Sequence, residues 1–378
     1  MTWEVVVVGL GGMGSAAAWH LARRGHRVLG VDQYEPGHTR GASHGRTRII
    51  RKAYFEDPAY VPLLERAYEL WDELSRTRGE VLLWRTGGLL LGRPEAPALA
   101  GALRSARAFG IPHELLSEGE VRRRFPALSP PPGTVGLLEP DAGVLRPERC
   151  VQAHLRAAEA AGACLRFGHP VLRWQEVGSR VVVETAGARV EAGALILTAG
   201  PWAPRLLAEA ELPLRVTRQV VGWFARPSGI RESLGPWFLA DMEGTILYGI
   251  PDPEEDTLKA ALHVPGEPCT PETVRREVSA EDTDSILRPL RRLVPGLGAL
   301  RETGTCLYTM TPDGHFVIGR PPGCGRVVYA AGLSGHGFKF APVIGEILAD
   351  LATRGTSPHP IAFLSPERFA ASRGAARA

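Results

Sequence analysis

The first residues with evident chemistry form a glycine-rich turn followed by an acid. The segment Gly9–Gly14 reads GLGGMG, which fits the pattern G-x-G-x-x-G, and Asp32 stands 23 residues after the first glycine. Glycines at these positions permit a tight turn, close approach of the backbone to a pyrophosphate and close packing of a helix on a strand. The acid accepts a hydrogen bond from a ribose hydroxyl. The pattern predicts a bound dinucleotide whose phosphates face a helix N-terminus.

The elements around this turn occur in the order that such a site requires. Glu4–Val8 is a β-branched run typical of a buried parallel strand, and a helix-like stretch runs from Ser15 to Arg24. A second strand over Arg27–Val31 ends directly before Asp32. Strand, helix, second strand and acid together are a much stronger signal than the glycines alone. The alternative is a glycine-rich turn without a ligand.

Lysine is the second residue type whose use points to chemistry. Only three of the 44 basic side chains are lysines (Lys52, Lys259 and Lys339), and the chain has no Asn and four Gln. A GC-rich genome favours this composition, and 32 Pro with few amides also fit a protein kept at elevated temperature. An ammonium and a guanidinium are not interchangeable at a tight site, so Lys259 and Lys339 are candidate functional residues. The alternative for each is chance retention at the surface.

Composition, charge and cysteine usage exclude several classes of protein. A length of 378 residues with 44% hydrophobic and 22% charged residues is typical of a soluble globular protein with two domains or one large α/β domain carrying an insertion. The net charge of +3 comes without long runs of like charge, so we expect no nucleic-acid partner. Five scattered cysteines without a CxxC pair argue against disulfides and a metal site. The sequence shows no basic leader and no apolar run near the ~20 residues of a membrane span. We therefore expect no membrane contact and a cytoplasmic location.

Further elements recur along the chain. Dinucleotide-type strands and helices stand at its start, middle and end, with antiparallel material between them, which predicts a discontinuous cofactor domain with an inserted substrate domain. The remaining predicted elements are a helix over Tyr60–Arg76, a strand pair over Val81–Leu91, a helix over Pro147–Gly162, strands at Val171–Trp174, Val181–Thr185 and Ala194–Leu197, antiparallel strands over 216–265, a helix over Glu272–Val294, a strand over Arg326–Ala331 and a helix over Pro342–Ala352.

Four stretches of the chain carry a family resemblance. They are Gly9–Asp32; Gly41–Tyr54 (GASHGRTRIIRKAY); Tyr248–Pro251 with Lys259 and His263; and Cys306–Asp313 (CLYTMTPD) with Gly332–Phe340 (GLSGHGFKF). Together they resemble the monomeric sarcosine oxidase family, which includes the N-methyltryptophan oxidases, within the D-amino-acid-oxidase-like flavoproteins. The first stretch is shared by many unrelated dehydrogenases, whereas the second and fourth are specific.

The resemblance implies a fold and its division into domains. The expected fold class is α/β, with a discontinuous Rossmann-like FAD-binding domain and an antiparallel-sheet substrate-binding domain. Residues 1–85, 145–215 and 300–378 would form the FAD-binding domain. Residues 86–144 and 216–299 would form the substrate domain.

The resemblance also implies how the cofactor is held. Cys306 stands where the family bonds a cysteine covalently to the 8α-methyl of FAD, with His44 and Arg48 near the flavin. Attack on the flavin needs a thiolate, which neighbouring cations favour. The alternative for Cys306 is a buried core thiol. The residues expected at the cofactor are Gly9, Gly11, Gly12, Met13, Gly14, Asp32, Ser43, His44, Arg48, Val171, Gly200, Trp202, Cys306, Gly335, Gly337 and Lys339.

Catalytic roles follow from the same resemblance. Arg51 and Lys339 match the arginine and lysine that hold the substrate's carboxylate, a reasonable pairing of a planar fork with an ammonium. Lys259 matches a lysine near the flavin that is used for oxygen activation, where a cation stabilises charge developing on O2. The other residues expected in the pocket are His263, Tyr248, Tyr308 and Arg48, with plain packing as the alternative for the first three.

The resemblance implies a monomeric oxidase of a small secondary amino acid, with sarcosine as the first candidate and O2 as the acceptor. Arg46 stands where we associate an Asp with sarcosine-active relatives. The segments Leu239–Met242 and 251–256, the second of them acidic, also differ from the family's pattern, so the identity of the substrate stays open. The alternative substrates are N-methyltryptophan, other N-alkyl amino acids, pipecolate or a glycated amino acid. A flavin dehydrogenase with another acceptor and a non-catalytic nucleotide-binding module are further alternatives.

Overall fold

The computed structural model describes residues 2–226, 236–242 and 244–370. The helices are α1 (Gly12–Ala22), α2 (Val61–Arg78), α3 (Pro97–Ala108), α4 (Glu118–Arg124), α5 (Pro147–Ala160), α6 (Ala203–Leu206), α7 (Ala280–Leu293) and α8 (Ala341–Arg354). The strands are β1 (Trp3–Val8), β2 (Val28–Val31), β3 (Arg48–Ile50), β4 (Leu83–Trp84), β5 (Gly88–Gly92), β6 (Glu114–Ser117), β7 (Val135–Glu139), β8 (Gly143–Leu145), β9 (Cys164–Arg166), β10 (Val171–Val177), β11 (Arg180–Thr185), β12 (Arg189–Leu197), β13 (Arg215–Ala225), β14 (Trp237–Met242), β15 (Thr245–Pro251), β16 (Thr257–His263), β17 (Leu300–Met310), β18 (Val317–Gly319) and β19 (Val327–Ala331).

The first sheet carries the glycine-rich turn. Its parallel core runs β9-β2-β1-β12-β19, and the antiparallel strands β10, β11 and β18 extend it. The valines of β1 are almost fully buried, as expected for a parallel strand covered on both faces. The parallel strands end along one edge, which brings together Gly9, Asp32, Thr198 and Gly332.

Helix α1 begins at the turn and packs tightly on its neighbours. A Cβ at Gly14 would lie 1.7 Å from the carbonyl oxygen of Gly9, so only glycine lets the helix approach the strand here. A Cβ at Gly345 in α8 would lie 2.6 Å from the Cβ of Ala16 in α1. These close approaches fix the helix N-terminus against the edge of the first sheet.

The second sheet has the strand order β17-β13-β16-β15-β14-β5-β7-β6. Its pairs are antiparallel, except that β14 pairs with β5 in parallel. One face packs on α4 and α7 through residues such as Phe238, Leu247 and Ile286. The opposite face carries Tyr248, Lys259 and other candidate site residues. A small third sheet, β3-β8-β4, holds Arg48 at its edge.

Most predicted elements are confirmed, including the α/β fold class, but two are wrong. The helix predicted over Glu272–Val294 begins only at Ala280, because Ser279 caps it by accepting from the N–H of Asp282. The strand pair predicted over Val81–Leu91 is not a pair. β4 joins β8 in the third sheet, whereas β5 lies between β14 and β7 in the second. Residues 227–235 and 243 of the predicted antiparallel run lie outside the described residues.

The division into domains stays a prediction, and strand pairing bears on one of its boundaries. β17, which was assigned to the FAD-binding segment 300–378, pairs along its length with β13 in the second sheet. We propose that this boundary follows Met310 instead of residue 299.

Candidate active site

A long groove opens where the parallel strands of the first sheet end. We call it the dinucleotide groove; it encloses about 1430 Å³ of empty space, open to solvent. Gly14 does not line it and serves helix packing instead. The residues predicted at the cofactor that do line the groove are Gly9, Gly11, Gly12, Met13, Asp32, Ser43, Arg48, Val171, Gly200, Trp202, Gly335 and Gly337.

Asp32 is fixed at the end of β2 by two backbone donors. Its carboxylate accepts from the N–H of Leu10 at 2.7 Å and from the N–H of Tyr34 at 2.9 Å. Burial raises the pKa of Asp32, and these donors oppose the rise. Each oxygen keeps a lone pair, so the carboxylate can still accept from a ribose hydroxyl.

A second cavity adjoins the groove beneath the second sheet. This inner cavity contains about 850 Å³ of empty space, part of it open to solvent, and it shares Arg48, Tyr308 and Gly335 with the groove. A Cβ at Gly335 would lie 2.3 Å from the Tyr308 ring, so the backbone stays bare where the two spaces meet. Every residue predicted as catalytic lines the inner cavity, and so do the three predicted cofactor residues that line this cavity but not the groove: His44, Cys306 and Lys339.

Lys259 is a buried cation on the β16 wall of the inner cavity. Its Nζ donates to the carbonyl oxygens of Gly45 and Thr47, each at 2.9 Å. Burial, and then the Arg48 guanidinium, lower the pKa of Lys259 well below its ordinary value. The ammonium is therefore poorly compensated, and it gains most from a negative charge developing beside it.

Arg51 is paired with Glu56, a buried carboxylate that the sequence did not bring forward. Nη2 of Arg51 donates to both oxygens of Glu56, at 2.8 and 3.0 Å, and the guanidinium lies 4.3 Å from the ring centroids of Tyr54 and Phe55. Burial would raise the pKa of Glu56, but the positive charge of Arg51, with help from Lys339, holds it at about 2. Arg51 thus already binds a carboxylate inside the cavity.

The Lys339 ammonium is held by the backbone carbonyl of His336, whose imidazole is itself fixed by two hydrogen bonds. Its Nζ donates to the carbonyl oxygen of His336 at 2.6 Å. Nε2 of His336 lies 3.0 Å from the Gly314 carbonyl, so it carries the proton, and Nδ1 accepts from the Tyr54 hydroxyl. Burial lowers the pKa of His336 to about 3, so this imidazole is neutral.

The titration of Lys339 is expected to make any carboxylate binding in this cavity dependent on pH. Burial, and then Arg51, lower its pKa to about 7, with Glu56 opposing the change. The charged form is present below that pH and is lost above it, so the affinity for a carboxylate falls as pH rises through about 7, by at most about tenfold per pH unit. Titrating the protein with a carboxylate that has no amino group, between pH 6 and 9, measures this.

Lys339→Met is the matched variant for that titration, because Lys259 also faces the cavity with a lowered pKa. The variant is expected to bind weakly with no such pH dependence. An affinity that stays constant from pH 6 to 9 in the unmodified protein would contradict a role for Lys339 in binding.

Cys306 lies beside a cation at the junction of the two spaces. Its Sγ is 4.0 Å from Nη2 of Arg48, which also donates to the carbonyl oxygen of Ala42. His44 turns Nε2 toward the Gly41 carbonyl at 3.1 Å, and burial, Arg48 and Lys259 lower its pKa to about 4. Arg48 is therefore the charged group next to the thiol.

The remaining predicted residues form an aromatic wall. The rings of His263 and Tyr308 lie 6.0 Å apart, and burial lowers the pKa of His263. Burial raises the pKa values of Tyr248 and Tyr308, so both remain protonated phenols. These groups can shape the cavity and donate hydrogen bonds.

Sequence reasoning missed several polar residues of the inner cavity. Glu56 follows Arg51 by five positions, so an acid so close to a candidate arginine could have been noted as its partner. Gln219 lines the cavity opposite Cys306 in the register of β13 and β17. It is one of only four glutamines, and the rarity argument applied to lysine would have found it. Behind the cavity, Tyr54 donates to the cavity residue His336, and nothing in the sequence pointed to it beyond its place in the family stretch.

No cluster of His, Cys, Asp or Glu suited to a metal ion occurs among residues 2–226, 236–242 and 244–370. Within the same part of the chain, no helix has the length and hydropathy needed to cross a membrane.

Comparison with known proteins decides the family. The profile of the family described as FAD dependent oxidoreductase matches residues 4–351. The chain belongs to the FAD-dependent oxidoreductases. It is 46% identical to the monomeric sarcosine oxidase of Streptomyces avermitilis, over 98% of this chain and 99% of that one. It is 36% identical to the N-methyl-L-tryptophan oxidase of Salmonella arizonae, over 98% and 100% of the two chains.

A solved structure has the same architecture. NikD, described as an unusual amino acid oxidase essential for nikkomycin biosynthesis, superposes in its open form with a TM-score of 0.87. The two chains are 26% identical and cover 97% of each other.

The residues of this FAD-dependent oxidoreductase fit its cofactor. The bare glycine turn at the start of α1 leaves room for a pyrophosphate, and Asp32 offers a fixed acceptor for a ribose. Cys306 and Arg48 lie at the junction with the inner cavity, and Tyr308 and Gly335 line both spaces. The groove would hold the dinucleotide, and its reactive end would face the inner cavity.

Proposed function

We propose that this enzyme oxidises the C–N bond of a small secondary amino acid, with sarcosine as the first candidate, and that O2 takes the electrons. Sarcosine, O2 and water would give glycine, formaldehyde and hydrogen peroxide. The observation that carries the proposal is the placement of three buried cations, Arg51, Lys339 and Lys259, around one cavity next to the dinucleotide groove.

Arg51 and Lys339 would bind and orient the substrate's carboxylate. Both cations reach the same cavity, and Arg51 already holds the carboxylate of Glu56 there. A substrate carboxylate would share the Arg51 guanidinium with Glu56 and also contact the Lys339 ammonium, since a guanidinium suits any planar carboxylate. Such anchoring places the N-methyl group in one position, which supplies much of the rate of a bound reaction.

Lys259 would serve the oxygen half of the reaction. FAD, when bound, supplies the two-electron acceptor for the amine and passes the electrons to O2. Lys259 offers a fixed positive charge in a buried site where charge develops on oxygen. This supports an oxidase over a dehydrogenase that uses another acceptor.

The size of the substrate depends on the apolar wall. Leu239, Ile250 and Val221 from the second sheet, with Phe55 and Tyr248, line the inner cavity. The test is a peroxide-coupled assay of the enzyme with sarcosine, N-methyl-L-tryptophan, pipecolate and a glycated amino acid, with formaldehyde measured in parallel. Sarcosine turnover with equal yields of formaldehyde and peroxide is expected. Reduction of the flavin by sarcosine without peroxide would favour the dehydrogenase.

We further propose that Cys306 bonds FAD covalently, because its Sγ lies beside the Arg48 guanidinium where the inner cavity meets the groove. The C–S bond would replace a C–H bond of the flavin methyl group with release of a proton, and O2 would accept the two electrons left on the flavin. After acid precipitation, the yellow colour is expected to stay with the polypeptide of the unmodified protein. Cys306→Ala is expected to release all of it. Cys324→Ala, which changes a cysteine outside both cavities, is the control. Flavin in the supernatant of the unmodified protein would contradict covalent attachment.

A monomer is also proposed, since the sarcosine oxidase relatives are named monomeric. Sedimentation at micromolar concentration is expected to give a mass near 40.8 kDa. A cytoplasmic location and adaptation to elevated temperature stay predictions.

A further inference from the structure

The Lys259 ammonium is held by the backbone of a short turn, residues 45–47. Its Nζ donates to the carbonyl oxygens of Gly45 and Thr47, and the side chain is buried. An ammonium has three donors, so these two bonds fix its direction and leave one N–H for the inner cavity that Lys259 lines. Whatever holds this turn therefore decides where the cation lies.

The backbone of this turn adopts a conformation that contacts from other segments must stabilise. The φ angle is 98° at Gly45 and 65° at Arg46, and the second value is unfavourable for a residue with a Cβ. The support comes from Glu148, whose Oε1 accepts from the N–H of Gly45 at 2.6 Å and from that of Arg46 at 3.0 Å. Glu148 lies in the first turn of α5, where the helix N-terminus stabilises a negative charge.

One peptide group connects the carboxylate with the ammonium. The C=O of Gly45 and the N–H of Arg46 belong to the same planar trans peptide, so they point in opposite directions. The C=O faces Lys259, and the N–H faces Glu148. The two charges polarise this peptide in the same sense, which strengthens both hydrogen bonds.

We propose that Glu148 is a positioning residue for Lys259: its carboxylate holds the turn 45–47 so that two carbonyls face the ammonium. The inference rests on the proposed role of Lys259 in the reaction with O2. The side chain of Arg46 adds to the support from the other side, because its guanidinium bonds Glu302 and lies 3.4 Å from Glu255.

The charges that face Lys259 determine the direction of a pH effect. Burial and Arg48 lower the pKa of Lys259, whereas Cys306, Glu148 and Asp252 raise it. Burial would raise the pKa of Glu148, but its hydrogen bonds and Arg48 hold that pKa below its ordinary value, so the group is ionised near neutral pH. Removing this charge lowers the pKa of Lys259 further, so the reaction with O2 is lost at a lower pH.

The test separates the two halves of the reaction in Glu148→Ala, Glu148→Gln, Lys259→Met and the double variant Glu148→Ala/Lys259→Met. The flavin is reduced anaerobically with sarcosine and then mixed with O2 across a pH series. Glu148→Ala is expected to reoxidise about tenfold more slowly with a pH midpoint shifted down, while reduction changes by less than about twofold. Glu148→Gln keeps an acceptor but no charge, so its midpoint shifts with a smaller loss of rate.

Three comparisons keep the test specific. The double variant is expected to reoxidise no more slowly than Lys259→Met, since both changes act through one cation. Arg149 lies on the same helix as Glu148 and forms an exposed ion pair with Glu254, so Arg149→Ala is expected to leave both half-reactions unchanged. Amide hydrogen exchange of Gly45 and Arg46 is expected to quicken in Glu148→Ala but not in Arg149→Ala.

The outcomes are distinguishable. If Lys259→Met reoxidises slowly while both Glu148 variants keep the reoxidation rate and pH midpoint of the unmodified protein, this inference alone is overturned. A double variant much slower than Lys259→Met also overturns it. Reoxidation of Lys259→Met at the unmodified rate contradicts the proposed function of Lys259 itself. If Glu148→Ala does not fold, Glu148→Gln provides the same pH comparison.

Discussion

Replacing Lys259 with methionine is expected to slow the reaction of the reduced enzyme with O2 by about 100- to 1000-fold. The oxidation of the amino acid itself is expected to stay near its original rate. The cation is buried, and its donors are already aimed by two carbonyls, so it needs no reorganisation when charge develops on oxygen. Methionine fills a similar volume, which keeps the packing of β16 while removing the charge.

Stopped-flow spectroscopy measures this difference directly, because flavin absorbance reports reduction under anaerobic conditions and reoxidation after mixing with O2. Lys52→Met is the matched control: it makes the same exchange at a lysine that pairs with Asp141 and lies outside both cavities. Equal losses in the two half-reactions of Lys259→Met would contradict a specific role with oxygen and indicate a general disturbance of the site.

The parts of the fold that could be predicted from the sequence are those coded over short distances. The turn Gly9–Gly14 and Asp32 lie within one strand-helix-strand unit, so their spacing alone indicates their geometry. The helix over Pro147–Ala160 could be predicted for the same reason, because its apolar residues recur at helical spacing within this one segment. Ser279 is also of a residue type that commonly caps a helix N-terminus. The charged residues before it, from Glu272, were nevertheless predicted to be helical.

Contacts between distant segments could not be predicted in this way. Glu148 bonds Gly45 across 103 positions, and no local pattern distinguishes it from other acids at the start of a helix. The apolar runs of β4 and β5 read as one hairpin, because periodicity identifies a strand but not its partner. β17 lies in the segment 300–378 that was predicted to belong to the FAD-binding domain, whereas its pairing with β13 depends on the whole second sheet.

The other large effect is expected at Arg51. Arg51→Met should lower kcat/KM for the amino acid by about 100- to 10,000-fold, the usual cost of removing one partner of a buried charge pair. Two causes combine here. The substrate loses the guanidinium fork, and Glu56 is left buried without its cation, where its charge repels a second carboxylate.

The double variant Arg51→Met/Glu56→Gln separates these causes. Without the unpaired negative charge, repulsion disappears, so kcat/KM is expected to recover by about tenfold over Arg51→Met while staying far below the unmodified enzyme. An N-methyl amine without a carboxylate is the control substrate, because neither change should slow its poor turnover. If Arg51→Met slows both substrates equally, Arg51 acts through the packing of Tyr54 and Phe55 around it instead of binding the carboxylate. The pairing with Glu56 would then be a structural ion pair of the loop that follows β3.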